Sequence, residues 1–514
     1  MARKKIIIVG AGPGGLTAAM ILARRGFDVT VYECKPEVGG RNAALRIGDY
    51  TFDTGPTFLM MNFVLKDVFN EAGRKVEDYL QFRRLEPMYR LAFDDLEVLP
   101  TTDRDGMFEA VRRLFPGNEH GYHAFLERER KRFEYMFPCL QKDYSSFSSL
   151  FCAPLMKALP HLSLGRSLFS NLGRYFSAER LKLSFTFQAK YLGMSPWECP
   201  AAFTILPYVE HAYGVYHVIG GLNAISLAMA RVAGELGCAV HTGTRVASLM
   251  RDGRRVTGVE LEDGTRAHAD EVIINADFAH AMSTLVPPGV LRKYSVGNLR
   301  KRRYSCSTFM LYLGLDTRYI LPHHNVFFAR DYRANVADIF EARRLSDDIS
   351  FYVQNASVTD STLAPEGHST IYVLVPVPNN TSGIDWAREK TRFRDLVLDS
   401  IARRTEMKDI RSHITAEKVI TPADWEDEHG VFLGATFNLA HTIGQMLYFR
   451  PRNRFEELRN CWLTGGGTHP GSGLPTIYES ARITANLICE SHGVPFVPPA
   501  GLSSKQPVLQ QFTT

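Results

Sequence analysis

Glycines, an acid and a base gather at two places near opposite ends of this 514-residue chain. The first is Lys5-Ile-Ile-Ile-Val-Gly10-Ala-Gly12-Pro-Gly14-Gly15, followed by Glu33 and by Val38-Gly39-Gly40-Arg41. The second is Thr464-Gly-Gly466-Gly467-Thr468-His469-Pro-Gly471-Ser-Gly473-Leu474-Pro475. Two such turns suggest one dinucleotide gripped by both ends of the chain. Gly10, Gly12 and Gly15, with Gly14 between them, permit a tight turn, close backbone approach to a pyrophosphate and close helix–strand packing. Glu33 can accept hydrogen bonds from both ribose hydroxyls, and it would repel a 2′-phosphate, which argues against NADP. Arg41 suits bidentate phosphate contact; a plain turn with a solvated arginine is the alternative.

These residues need particular elements behind them. Ile6 to Val9 reads as a buried parallel strand, and Leu16, Ala19, Ile21 and Leu22 carry a helix whose N-terminal amides favour negative charge. Gly26 ends that helix, and Asp28 to Tyr32 forms the second strand with Glu33 at its end. Met60 to Ala72 reads as a helix, and residues 107–215 as mostly helical and rich in Phe, Tyr, Leu and Met. Nucleotide-type patterning returns from His217 to Asp277. There Gly220-Gly221-Leu222 opens a helix through Leu236, strands follow, and the Asp252-Gly253 and Asp263-Gly264 pairs signal hairpins. Residues 304–450 alternate strands (Thr308 to Leu313, Ser369 to Val375) with a helix from Trp386 to Arg404. Val497 to Thr514, rich in Pro, Gln and Ser, is expected to be disordered.

Bulk properties narrow the classes. A chain of this length needs two or three subdomains. With 45% hydrophobic and 22% charged residues it is globular, and a net charge of +5 gives no argument for nucleic acid. Arg128-Glu-Arg-Lys-Arg132 reads as a solvated face; Arg300-Lys-Arg-Arg303 is either that or a rest for anionic lipid. The eight cysteines are scattered, which fits reduced thiols better than a disulfide framework or zinc site, and no metal is expected. The first strand starts almost at Met1, so no signal peptide is expected. No run of about 20 apolar residues is long enough to span a membrane.

The Glu-x5-Gly-Gly-Arg arrangement, with Phe52-Asp53-Thr54-Gly55-Pro56-Thr57 downstream, resembles the flavoprotein class of amine oxidases, carotenoid desaturases and Rab GDP-dissociation inhibitors. No second GxGxxG with a following acid indicates a nicotinamide domain, so FAD is the expected cofactor. Further stretches sharpen the resemblance. They are Asp53-Thr-Gly-Pro-Thr57, His323-His324, Leu363-Ala-Pro-Glu-Gly367, Thr421-Pro-Ala-Asp424, Gly434 to His441, Gln445, Phe449-Arg-Pro-Arg-Asn453 and Gly465 to Pro475. Together they resemble the bacterial and fungal phytoene desaturase family over nearly the whole chain. Two places depart from it: Asn355-Ala-Ser, where a proline is expected before the serine, and Thr476-Ile-Tyr-Glu479, where small residues are common.

The resemblance implies an α/β fold with a Rossmann-like FAD-binding domain of the amine oxidase/GDP-dissociation-inhibitor type. A sheet-based substrate domain and a helical membrane-associating subdomain accompany it. The expected division is 1–95, 215–300 and 455–495 for FAD, 96–214 helical, 301–454 for substrate, and 496–514 a flexible tail. Gly55, Pro56 and Thr57, a backbone contact near Val246, and Gly466 to Thr468 with Gly473 to Pro475 join the expected FAD site. A helix near Thr476 would point its positive end at the flavin.

The implied reaction desaturates a long linear polyene hydrocarbon (phytoene or diapophytoene), passing a hydride to flavin while a proton leaves the neighbouring carbon. Glu210, in the aromatic run Tyr208-Val-Glu-His-Ala-Tyr213, and His469 are the catalytic candidates. A paired structural carboxylate and a cap on the flavin turn are the respective alternatives. A substrate this apolar points to a peripheral enzyme on the cytoplasmic face of the cell membrane. Residues 151–176, with Lys157, Arg166 and Arg174 reaching headgroups, would lie in the interface or form a lid on the protein's own core. Electrons would pass to quinone or oxygen. A polyene isomerase, a terminal-methyl oxidase and, in another class, a non-catalytic prenyl-protein escort are the competing readings.

Overall fold

The computed structural model describes residues 3–496; the tail from Val497 to Thr514 lies outside them. A five-stranded parallel sheet runs in the order Cys461–Leu463, Glu271–Ile274, Lys5–Val9, Asp28–Tyr32, Ala239–His241. The end, the middle and the start of the chain therefore lie side by side. Parallel strands are covered on both faces, which is why Ile6 to Val9 is an unbroken apolar run. Ile6 and Ile8 pack with the helices on one side, and Ile7 and Val9 pack with Val272, Ile274 and Val259 on the other.

The first helix, Pro13–Arg24, begins at its proline, so Gly14 and Gly15 stand in its first turn; a missing N–H costs nothing there. It packs on the helices Asn223–Glu235 and Leu474–His492. The two Asp-Gly pairs form the expected hairpins of a small antiparallel sheet, Val246–Asp252, Arg255–Leu261 and Arg266–His268.

A second, seven-stranded sheet has the order Ile414–Ile420, Ser307–Leu315, Ser369–Val377, Phe351–Asn355, His324–Phe327, Arg90–Ala92, Glu97–Val98. Alternation along its strands sends Phe309, Leu311 and Leu313 toward the helix Trp386–Arg404, and Met310 and Tyr312 toward Tyr50, Phe52 and Trp425. The last two strands come from either side of residue 95.

The helices Arg104–Leu114, Glu119–Leu140 and Ile205–Tyr213 share one apolar core with the nucleotide sheet. Here one sequence expectation fails. Arg132 and Glu129 of the basic run are fully buried, paired at 2.9 Å, and Arg132 also donates to the carbonyls of His161 and Ala201. Their i, i+3 spacing puts them on the helix's inward face, not in solvent. Residues 147–172 fold as short turns, Phe147–Phe151, Ala153–Ala158, Leu159–His161 and Leu168–Leu172. Leu155, Ala158, Leu168 and Leu172 face inward, while Phe147, Phe151, Leu159 and Leu164 are exposed. Among the described residues no helix is long and apolar enough to cross a membrane, and no cluster could hold a metal ion.

Candidate cofactor and catalytic site

The first glycine turn is closed by a residue that sequence reading left unassigned. Asn275, directly after the strand Glu271–Ile274, lies under the turn and donates from Nδ2 to the Gly10 carbonyl at 3.1 Å. A Cβ at Gly10, which has φ +101°, would stand 2.5 Å from the Asn275 carbonyl oxygen, and one at Gly15 would stand 2.2 Å from the Gly10 oxygen. Side chains are excluded on steric grounds, leaving backbone amides to face outward. Parallel pairing of its strand with Lys5–Val9 was the signal that could have found Asn275.

Glu33 is buried and already oriented. Its Oε2 accepts from the Ala11 amide at 2.8 Å and its Oε1 from the Lys35 amide at 2.9 Å. A carboxylate offers about four acceptor directions; Oε1 also takes the Cys34 thiol at 3.4 Å, so Oε2 retains one for a ribose hydroxyl. The Thr244 amide donates to the Glu33 carbonyl at 2.8 Å, which brings the strand starting at Val246 alongside. Gly39, at φ +121°, donates from its amide to the Ala11 carbonyl, joining the second glycine pair to the first turn. Arg41 donates to the Thr436 carbonyl at 2.9 Å and lies 3.9 Å from Asp277.

The Asp53–Thr57 segment is held by the large sheet. Tyr312 donates to the Thr54 carbonyl (2.5 Å), Tyr372 to the Gly55 carbonyl (2.9 Å) and Tyr352 to Thr57 Oγ1 (2.9 Å). Asp53 itself accepts from the Leu222 amide at 2.7 Å, and so ties Gly220-Gly221 to this segment. Pro56 stands between the clamped carbonyl of Gly55 and the clamped hydroxyl of Thr57.

The C-terminal loop completes the arrangement. Gly465, Gly471 and Gly473 have φ of +106°, +146° and +111°. Leu474 and Pro475 begin the helix Leu474–His492, two residues earlier than the sequence suggests, again because proline suits the first turn. A Cβ on Gly14 would meet Ile477 of this helix at 3.1 Å, so the two glycine turns converge. Thr464 Oγ1 is buried beside Gly14 without a hydrogen-bond partner, and the Gly466 and Gly467 amides donate to nothing among the described residues. Sterically cleared turns, unused amides, a free buried hydroxyl and a ribose-type carboxylate together fit FAD.

The two catalytic candidates stand apart and share no partner. Glu210 is fully buried and accepts at Oε2 from Tyr89 (2.8 Å) and Gln188 (2.7 Å), while Oε1 has no partner. Burial pushes its carboxyl up to about 7, against the lowering effect of those donors. One aromatic layer separates it from Thr57. Phe58 stacks on His324 at 4.0 Å and approaches Tyr191 at 5.3 Å and Tyr89 at 6.1 Å, and His324 Nδ1 bonds the Tyr352 hydroxyl at 2.7 Å. His469 instead bonds the Lys142 carbonyl through Nε2 at 3.0 Å and packs edge-on to Tyr144; burial pushes its imidazole down to about 3. Of the two departures from the family pattern, Asn355 to Ser357 is buried, and in Thr476 to Glu479 only Tyr478 and Glu479 are. Asn355 donates from its amide to the His323 carbonyl at 2.8 Å and from Nδ2 to the Tyr319 carbonyl at 3.2 Å, and Glu479 pairs with Arg482 at 2.7 Å.

Residues 13–489 match the model of the flavin containing amine oxidoreductases. Over 493 residues, 96% of each chain, the sequence is 56% identical to the 4,4'-diapophytoene desaturase (4,4'-diapolycopene-forming) of Methylomonas sp.. The chain belongs to the carotenoid desaturases. The enzyme is also 37% identical to the all-trans-zeta-carotene desaturase of Myxococcus xanthus, over 98% of each chain. Its fold resembles that of an oxidoreductase from Methanosarcina mazei, with TM-score 0.64 and 16% identity over 95% of this chain and all of that one. These matches exclude the non-catalytic escort reading. The enzyme is an oxidoreductase acting on CH–CH bonds, and its cofactor is FAD.

Proposed function

We propose that the enzyme introduces conjugated double bonds into a thirty-carbon diapophytoene-type polyene taken from a membrane, and that its electrons pass on to quinone or oxygen. The observation that carries the substrate reading is the 56% identity, end to end, with a relative that forms 4,4'-diapolycopene. FAD, when bound, supplies the two-electron acceptor. The protein's part is to hold it through Gly10 to Gly15, Glu33, Gly39 to Arg41, Gly55 to Thr57, Val246, Gly466 to Thr468 and Gly473 to Pro475, and to manage the proton. Loss of hydride next to a double bond leaves transient positive charge, which the ring faces of Phe58, Tyr191 and Tyr352 would shelter. Of the two candidates, geometry favours Glu210 as proton acceptor. It lies beside those rings, has a free oxygen, and titrates close to neutral pH, where a general base works best. His469 has a free Nδ1, but burial pushes its imidazole down to about 3, which makes it the weaker base.

The exposed side chains support docking on a membrane. Exposed Phe147 packs edge-on to exposed Phe151 and, with ring centroids 5.6 Å apart, to Tyr448, which in turn meets exposed Phe449. Two distant segments thus form one apolar patch; Leu159 and Leu164 are exposed further along the chain. Lys157, Arg166 and Arg174 flank it in sequence. Extracting the substrate through water would cost roughly 25 cal/mol per Å2 of apolar surface, whereas direct entry from the bilayer avoids that.

Expression in hosts that accumulate diapophytoene or phytoene, with absorbance and mass of the extracted pigment, tests the reading. We expect coloured products with loss of two hydrogens per step in the first host. Colourless extracts from FAD-loaded protein in both hosts would overturn it; unchanged mass would indicate an isomerase, and gained oxygen a terminal-methyl oxidase.

A further inference from the structure

Arg450, in Phe449-Arg-Pro-Arg-Asn453, is fully buried, yet every group it bonds is a carbonyl. Nε donates to Thr468 O at 3.0 Å and Nη2 to Gly466 O at 2.7 Å, while the remaining contacts, at 3.3–3.4 Å, go to Leu439 O and Gln445 O. It forms no ion pair among the described residues, in contrast to the buried Arg132 and Arg482, which each hold a glutamate. Burial pushes the guanidinium down to about 9, so it remains protonated at neutral pH. Its titratable neighbours add no compensation. His441 and His469 are both pushed down by burial, with the Arg450 charge adding to the effect, and stay neutral.

A buried cation without an anion is costly, and carbonyl dipoles solvate it without cancelling its charge. Its field therefore extends through the loop it holds. The Gly466 carbonyl, bonded to Nη2, belongs to the same peptide unit as the Gly467 amide. That amide has no acceptor among the described residues. Hydrogen bonding at the oxygen polarises the unit and strengthens the N–H as a donor on the far side.

We propose that Arg450 is a positioning residue for FAD: it fixes the C-terminal glycine loop through Gly466 and Thr468, and its unpaired charge favours the more negative, reduced cofactor and so raises its reduction potential. This rests on the loop facing FAD, as read above.

The test separates charge from hydrogen bonding. Arg450→Lys keeps the charge and loses most of the contacts, whereas Arg450→Gln loses the charge and, being shorter, retains at most the contact to Thr468 O, so the two variants share the loss of contacts and differ in charge. Midpoint potentials of the FAD-loaded variants are measured beside thermal melts and FAD titration of the apoprotein. We expect R450Q to lower the affinity ratio of reduced over oxidised FAD about tenfold, which is ~30 mV for a two-electron couple. R450K should stay within about threefold of wild type, although both variants melt earlier. Should R450Q fail to accumulate, His441→Glu serves instead. A carboxylate there can still accept from the Ser472 amide, as His441 Nε2 does at 3.2 Å, and it should lower the potential in the same direction by pairing with Arg450. Wild-type potentials in R450Q and H441E would overturn the proposal and leave Arg450 a clamp. A Gly467→Ala control guards the underlying reading, because its Cβ would stand 2.7 Å from Phe278 Cβ, which cannot swing aside. Unchanged FAD affinity in that variant would overturn the loop's assignment and the proposal with it.

Discussion

The two glycine turns are built by different physical means. The N-terminal one is local: strand, turn, helix, strand and Glu33 follow one another within the first 33 residues, and helix amides supply the positive potential. The C-terminal one is assembled. Its carbonyls rest on Arg450, its Ser472 hydroxyl donates to Phe437 O at 2.8 Å, and His469 reaches the helical region at Lys142. A contiguous motif can be recognised from spacing alone. An assembled one can be recognised only by its glycines, while the residues that set its electrostatics stay silent.

The most severe way to break the comparison is Gly15→Val. Its Cβ would lie 2.2 Å from a backbone oxygen that cannot swing aside, so overpacking by about 3 kcal/mol should weaken FAD binding about 100-fold. Titration of FAD into apoprotein measures it. Near-normal affinity would mean the N-terminal turn is not the pyrophosphate site.

Next in size is an effect that should leave both turns alone. Glu210→Gln preserves volume and should retain full FAD while turnover falls about 100-fold. Wild-type turnover should rise with pH through about 7 as the carboxyl ionises, and the variant should lack that limb. An unaltered pH profile in E210Q would remove Glu210 from the chemistry.

Legibility followed the same local-against-assembled division. The order of strands around the first turn, the two Asp-Gly hairpins and the helix Trp386–Arg404 were readable because their signals lie within a few residues of each other. The tyrosines holding the Asp53–Thr57 segment were not. Tyr312 and Tyr372 sit in continuous apolar strands, and nothing local distinguishes a hydroxyl that bonds a carbonyl 258 or 317 residues away from one that merely fills the core. Arg132 was misread for a related reason: charge density along the sequence does not show which side of a helix turns inward. Arg450 was visible only as part of a recurring motif, because burial without a counter-ion is a property of the fold.

The helical region meets the assembled turn and its helix through a few side chains: Lys142 and Tyr144 at His469, and Gln141 at Glu479, 3.0 Å. Membrane contact should therefore be separable from cofactor binding. Replacing Phe147 and Phe151 together by serine should reduce co-sedimentation with anionic lipid vesicles about tenfold, with FAD content unchanged. Equal sedimentation would place the membrane-facing surface elsewhere.

The smallest effect concerns the clip itself. His469→Asn removes one buried hydrogen bond to Lys142 O, worth about 1 kcal/mol, and should lower the melting temperature by a few degrees with turnover reduced less than about threefold. Acidity offers an independent check. His469 is held near 3 when folded and rises to about 6.5 when unfolded, so the unfolded chain binds more protons between those values and stability must fall as pH drops below 6.5. The wild-type advantage over H469N should therefore be largest above pH 7 and shrink on acidification. Glu210 carries the opposite sign: its raised carboxyl pKa makes the folded state the better proton binder, and its contribution weakens as pH rises from about 4.5 to 7. Melting curves of H469N and E210Q across pH should thus diverge from wild type in opposite directions. A hundredfold loss of turnover in H469N with FAD retained would instead make His469 the proton acceptor and Glu210 a buried structural acid.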